Sequence, residues 1–329
     1  MSITIERSVA MILTDYFRSE HDLTWDYAKQ CGVKYGTIRL PEHQDFDITN
    51  LAHWEQVIKG FTDFGIKPLI IEPLPNELHD HIKTGDEKRE ECIEKTIKMM
   101  EYMNRFGIKI LCFNWMAHIG WLRTSDKIQE RGGALVTGFD HRDFQSIDKT
   151  ITAKELWDNY ESFIKAVIPY AEQYDVKLAL HPDDPPLPKL GDVERIMISF
   201  ENIQRAISVV DSPNLGVTMC QATYLMMGED LYSIIPKLAD KIFFIHFRNV
   251  VGNQHQFHET FHDNGLIPMA DIMALYHKCG INVPVRVDHV PLMAGESEGT
   301  VGYTALGRLY AIGYLKGILE SVERRRFDV

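Results

Sequence analysis

Cysteine is scarce in this chain: five residues in 329, at positions 31, 92, 112, 220 and 279, with no paired spacing. That scatter excludes a disulfide framework and suits reduced thiols in a cytoplasmic protein. Positive charge is also short. Lys and Arg number 35 against 47 Asp and Glu, a net charge of −12, and no basic run occurs. Nucleic acid and anionic membrane surfaces are therefore excluded as partners, and an anionic substrate must be held locally by Arg, His or a metal. No apolar run approaches membrane-spanning length, and Met1-Ser2-Ile3-Thr4-Ile5-Glu6-Arg7 lacks the apolar core of a signal peptide. No Gly-x-Gly-x-x-Gly follows the first strand candidate, so a nucleotide cofactor has no motif to bind it. Linkers, low-complexity segments and short repeats are missing as well, so residues 1–329 read as one domain.

What is present is a rhythm. Short β-rich runs alternate with longer amphipathic stretches from end to end. The strand candidates are Val9–Leu13, Val33–Arg39, Lys67–Glu72, Ile108–Asn114, Val176–His181, Leu215–Cys220, Lys241–Phe247 and Val283–Asp288. Pro68-Leu69-Ile70-Ile71 is almost continuously apolar, as a parallel strand covered on both faces must be. Helix candidates fill the gaps, among them Leu51–Phe64 before Gly65, Glu87–Phe106 before Gly107, and a stretch opened by the capping box Thr152/Glu155. Eight βα units in one continuous series predict an α/β fold, a (β/α)8 TIM barrel. Residues 115–150 break the rhythm and read as a long loop after strand four.

Active sites of such barrels lie at the C-terminal strand ends. The last residues of strands five to eight are His181, Cys220, His246 and Asp288, spaced by 39, 26 and 42 residues, each compatible with one βα unit. Singly, each has a plain structural explanation: a capped strand end, a small buried thiol, a core imidazole, an acid paired with Arg286. Together, two imidazoles, a thiolate and a carboxylate at one end of consecutive strands suit a divalent transition metal such as Mn, Fe, Co or Zn. His289 and Tyr303 sit at the same end, where an imidazole and a phenol can move protons. Arg248 and Asn249 follow strand seven and can grip a carboxylate or hydroxyls. His258, Glu259 and His262 form a polar cluster beyond them.

These residues resemble a known family. His181-Pro-Asp-Asp-Pro-Pro-x-Pro, His246-Phe-Arg-Asn, Phe257-His-Glu, Asp288-His289 and Gly302-Tyr-Thr-x-x-Gly-Arg look like D-mannonate dehydratase, whose barrel is xylose-isomerase-like. The likeness runs from about Lys67 onward and takes in Phe113-Asn-Trp-Met and Trp121-x-Arg-Thr, which adds Asn114 and Arg123 to the candidate substrate contacts Arg248, Asn249, His258 and Glu259. The resemblance implies that His181, Cys220, His246 and Asp288 bind a catalytic Mn2+ or Fe2+, with Co2+ a further fit, and that His289 and Tyr303 handle protons. It also implies a sugar-acid substrate, D-mannonate, and a homo-oligomer, a dimer. The chain departs from the family at Gly120, Pro268 and Val290, and its first sixty residues resemble it weakly. Three alternatives stay open on these residues: a dehydratase of another sugar acid, a sugar isomerase or epimerase on the same barrel, and a non-catalytic sugar-acid binder.

Overall fold

In the structure, a computed structural model that describes residues 11–296 and 300–324, the strands are short and apolar. In chain order they are β1 (Ile12–Phe17), β2 (Tyr35–Ile38), β3 (Lys67–Ile71), β4 (Ile110–Phe113), β5 (Ser125–Gln129), β6 (Leu135–Asp140), β7 (Lys177–Leu180), β8 (Lys189–Leu190), β9 (Val193–Glu194), β10 (Leu215–Cys220), β11 (Ile242–Phe247), β12 (Val250–Asn253), β13 (Gln256–Glu259) and β14 (Pro284–Val287). The helices are α1 (Leu23–Gln30), α2 (Leu51–Phe64), α3 (Asn76–Thr84), α4 (Arg89–Phe106), α5 (Ala153–Gln173), α6 (Phe200–Ile207), α7 (Gln221–Met226), α8 (Leu231–Lys237), α9 (Met269–Lys278) and α10 (Ala305–Arg324). Eight strands close a parallel barrel in the order β1-β14-β11-β10-β7-β4-β3-β2. The expected (β/α)8 barrel is therefore the fold.

Local chemistry sets the boundaries. Gly65 and Gly107, at φ +93° and +72°, end α2 and α4 in the left-handed conformation that a Cβ would disfavour. Thr152 and Glu155 form the expected reciprocal capping box on α5. Inside the barrel, Ile70, Ile110, Cys112, Ala179, Phe243 and Phe244 fill the floor. Outside it, one large apolar cluster joins strands to helices. The site thus stands on a rigid, close-packed base. Among the described residues, no helix is long and apolar enough to cross a membrane.

Three segments differ from the sequence expectation. The first strand lies at Ile12–Phe17, later than Val9–Leu13; Val9 and Ala10 fall outside the described residues. Its polar members hid it. Thr14 Oγ1 donates to Val285 O at 3.3 Å, and buried Asp15 pairs with Arg308 at 2.6 Å. The segment from 115 to 150 is not one loop: β5 and β6 form a hairpin that joins β12 and β13 in a four-stranded antiparallel sheet, with Phe257 opposite Phe139. Helix α3 was not anticipated because Asn-Glu-Leu-His-Asp-His-Ile-Lys-Thr offers only two strong apolar residues, Leu78 and Ile82, for its buried face.

Candidate active site

Strand register builds the site. Cys220 on β10 stands opposite His246 on β11, and His246 stands opposite Arg286 on β14. Thiol, imidazole and guanidinium therefore occupy one layer of three adjacent strands. His181 follows β7, its ring centroid 4.9 Å from that of His246. One donor atom from each of His181, Cys220 and His246 lies within 4.8 Å of the others. Bonds of about 2.0–2.3 Å to a shared ion set ligand atoms about 3–4 Å apart, so the cluster has ion-binding dimensions.

The cluster also fits an ion chemically. Both ring nitrogens of buried His246 lack a hydrogen-bond partner, a costly arrangement that a metal bond would relieve. Nε2 approaches Glu72 Oε1 at 3.1 Å and Nδ1 approaches Asp288 Oδ2 at 3.6 Å, but neither contact has hydrogen-bond geometry. His181 Nδ1 donates to Pro182 O at 2.6 Å, which leaves Nε2 with its lone pair, the arrangement a ligating histidine needs. A second group, Glu72, Cys112 and His246, is equally close. Its members are engaged elsewhere: Glu72 accepts two bonds from Arg286 at 2.8 and 2.9 Å, and the Cys112 thiol meets Thr218 Oγ1 at 3.2 Å.

Asp288, the fourth expected ligand, stands beside the three rather than among them. Its Oδ1 accepts from Arg286 Nη1 at 2.8 Å. Burial pushes this carboxyl's pKa up, but Arg286 first, then His289, His246 and Arg248, hold it well below the usual range. Glu72 behaves alike, with burial outweighed by Arg286 and His246. Both acids are thus held ionised at neutral pH.

Consecutive side chains of an extended strand point to opposite faces. Asp288 and His289 nevertheless both line the same cavity, because His289 sits at φ +38°, in the left-handed region. His289 Nε2 lies 3.0 Å from Tyr303 Oη, and Nδ1 lies 2.9 Å from Glu259 Oε1. Arg248 Nη1 also abuts Nδ1. Two proton donors cannot both face one acceptorless site, so the carboxylate contact and the arginine contact compete for the tautomer. A proton on Nδ1 satisfies Glu259 and has Nε2 accept from Tyr303, whereas a lone pair on Nδ1 satisfies Arg248 and has Nε2 donate to Tyr303.

Behind His289 stands a buried square of charge. Arg123 pairs with Asp184 at 2.8 Å and with Glu259 at 2.5 Å; Arg248 pairs with the same two acids at 2.8 and 3.1 Å. All four side chains are at most 4% exposed. Burial would raise the Glu259 carboxyl, but Arg248, His289 and Arg123 bring it down to about 2. Arg123, Arg248 and Glu259, expected to touch substrate, therefore lie behind the wall. Asn249 does as well: its amide donates to His262 O and Ile267 O and accepts from Val250 and Ile267. His258 lines a separate depression on the four-stranded sheet. Of the expected substrate contacts, Asn114 alone lines the cavity, which holds about 400 Å³.

Sequence reasoning gave no site role to Glu72, took Arg286 only as a plain partner for Asp288, and quoted Asp184 and Trp121 within motifs without a role; the half-exposed indole of Trp121 has its centroid 5.0 Å from His289. Glu72 was within reach, since it ends an apolar strand as His181 does. Asp184 and Trp121 stood in the motifs that carry the resemblance, but their positions depend on loops and were not legible.

A parallel barrel that gathers two imidazoles and a thiol beside a phenol–imidazole pair has donors that could hold a divalent ion and groups that could move a proton. A model of the D-mannonate dehydratase (UxuA) family matches residues 11–152 and 144–328. Mannonate dehydratase 1 of Bacillus licheniformis is 31% identical over 358 aligned positions, covering 96% of each chain. Mannonate dehydratase of Streptococcus agalactiae is 30% identical over 78% of this chain and 82% of its own. The crystal structure of mannonate dehydratase from Streptococcus suis superposes with a TM-score of 0.89 at 26% identity, covering 97% of this chain and 95% of that one. A xylose isomerase domain protein from Planctomyces limnophilus, at TM-score 0.62 and 10% identity over 97% of this chain and all of its own, shares the fold alone. The chain belongs to the D-mannonate dehydratase family.

Proposed function

We propose that this chain is a hydro-lyase that converts D-mannonate to 2-dehydro-3-deoxy-D-gluconate and water. The observation that carries the reading is the 3.0 Å contact between His289 Nε2 and Tyr303 Oη, in the cavity that His181 and His246 also line. His181, Cys220 and His246 would hold a divalent ion, with Asp288 adding Oδ2, the oxygen not bonded to Arg286. The mixed nitrogen, sulfur and oxygen set suits Mn2+ or Fe2+, and Co2+ as well. Such an ion supplies positive charge for the enolate that forms when the C2 proton leaves.

The residues themselves do the proton work. The C2 proton passes to one member of the His289–Tyr303 pair. The C3–oxygen bond breaks, and the departing hydroxyl takes a proton to leave as water. The enol that remains tautomerises to the 2-keto acid, so atoms balance with no redox partner. Glu259 holds His289 in place at 2.9 Å, and the arginine–carboxylate square holds Glu259. Trp121 covers the pair on the solvent side and limits water there.

The test is an anaerobic assay of Mn2+-loaded protein on D-mannonate, scoring the 2-keto-3-deoxy acid, with an EDTA-stripped control. Metal-dependent product is expected. Bound metal without product would remove D-mannonate and call for a panel of other aldonates and uronates. The same reading includes a cytoplasmic homo-oligomer, a dimer by family resemblance, which light scattering would check.

A further inference from the structure

Helix α3 brings Asn76, Asp80 and Lys83 to the cavity wall. Their spacing of i, i+4 and i+7 puts them on one helical face, while Leu78, His79 and Ile82 are buried. Lys83 is only 2% exposed. Its ammonium donates to Met116 O at 2.9 Å and pairs with Asp80 Oδ1 at 2.8 Å. A buried cation anchored on a backbone carbonyl braces the carboxylate beside it. Asp80 Oδ2 is left without a protein partner among the described residues, and the side chain remains 60% exposed. In the same cavity, Asn114 Oδ1 accepts from Met116 N at 3.1 Å, which leaves its two Nδ2 protons to donate. This wall thus alternates fixed donors and acceptors, as a row of hydroxyls requires.

The far side of the cavity has the opposite character. Arg18 and Arg39 line it at the ends of β1 and β2, Arg39 also pairing with Glu42 at 2.5 Å; Arg286, its charge already met by Glu72 and Asp288, lies beyond Tyr16 with its guanidinium 5.4 Å from the phenol ring centroid. An aldonate carries one anion at C1 and hydroxyls along the rest. Like charges repel more strongly in a cavity wall than in bulk water, so a carboxylate avoids Asp80 and faces the end that carries Arg18 and Arg39.

We propose that the α3 wall is the subsite for the polyol tail of the sugar acid. Asp80 and Asn76 bond the hydroxyls farthest from the carboxylate, and the wall thereby sets the chain length of the substrate. The proposal rests on the dehydratase reading for the identity of the ligand as a sugar acid.

The experiment compares D-mannonate with L-erythronate, a four-carbon acid of the same C2 and C3 configuration that lacks the tail. Mn2+-loaded wild type, Asp80→Ala and Asn76→Ala are assayed for turnover, and both acids are titrated calorimetrically. Asp80→Ala leaves the buried Lys83 ammonium with Met116 O as its remaining partner, so thermal unfolding of the variant is followed alongside, and the ratio between the two acids is read because it does not depend on the folded fraction. Loss of one hydrogen bond to a hydroxyl predicts that Asp80→Ala lowers the preference for D-mannonate over L-erythronate about tenfold, chiefly through KM. Asn76→Ala should move the ratio the same way. An equal loss on both acids, or an unchanged ratio, overturns the subsite. Binding without turnover in the wild type sinks the dehydratase reading instead, and the ratio of Kd values then judges the subsite. Failure of the wild type to bind either acid overturns both.

Discussion

Two parts of this site are built in different ways. The His181–Cys220–His246 cluster hangs on the ends of consecutive barrel strands, and its members are neighbours because β7, β10 and β11 are neighbours. The square of Arg123, Asp184, Arg248 and Glu259 is assembled from the segments that follow β4, β7 and β11 and from β13 of the four-stranded sheet, all beyond the barrel strands themselves. The first arrangement leaves both ring nitrogens of His246 without a hydrogen-bond partner. The second is held by ion pairs among its own members, with Arg248 Nε and Glu259 Oε2 its atoms left without a partner. One offers donor atoms that our proposed function assigns to an ion; the other holds a protein group, His289, through Glu259.

That contrast can be broken at either side. Replacing a ligand of the open cluster should have the largest effect. Cys220→Ser should weaken metal binding by about a hundredfold or more, read by metal content after dialysis, because a serine hydroxyl stays protonated where a thiolate would bind. Full metal occupancy with normal turnover would take Cys220 out of the site. Next comes the proton pair. Tyr303→Phe should keep the metal and lose about 10²–10⁴ in kcat; unchanged turnover would make Tyr303 a packing residue.

Cutting the closed square should cost stability more than affinity for metal. Glu259→Gln leaves two buried guanidiniums with a single carboxylate, and about 3–5 kcal/mol of stability should go, measured by urea unfolding. A change below about 1 kcal/mol would mean that water or rearrangement replaces Glu259. The smallest effect concerns pH. Burial lowers His262 from 6.5 to about 4, while its Nε2 donates to Phe247 O at 2.7 Å. Its folded pKa lies below its unfolded one, so its contribution is complete above about 6.5 and is lost as pH falls toward 4. A loss of up to about 3 kcal/mol is expected across that window, and His262→Gln should flatten the slope. An equal slope in the variant would assign the acid lability to the carboxylates.

The strand ends were legible because each obeys a local rule: an apolar run stops at a polar residue of metal-binding type. His181, Cys220, His246 and Asp288 all followed it, and so did Glu72, where the rule was not applied. The pairing of Asp288 with Arg286, weighed in the sequence as a plain alternative to ligation, is present at 2.8 Å. Arg123, Arg248 and Glu259 were legible as chemistry but not as geometry. A charged residue in a loop looks the same in sequence whether it faces substrate or another charge. The hairpin β5–β6 was hidden for a similar reason, since its partner β12–β13 lies more than a hundred residues downstream.

By itself the sequence determined the repeated strand–helix alternation, the barrel that follows from it, and which side chains stand at the mouth. Those features depend on periodicity and caps, which act over a few residues. Only the tertiary structure decided which of those side chains face the cavity and which face one another. That choice depends on register between strands, on the left-handed turn at His289, and on the docking of a distant sheet against the barrel. Such contacts balance desolvation against pairing across the whole fold, and no local stretch of sequence carries that balance.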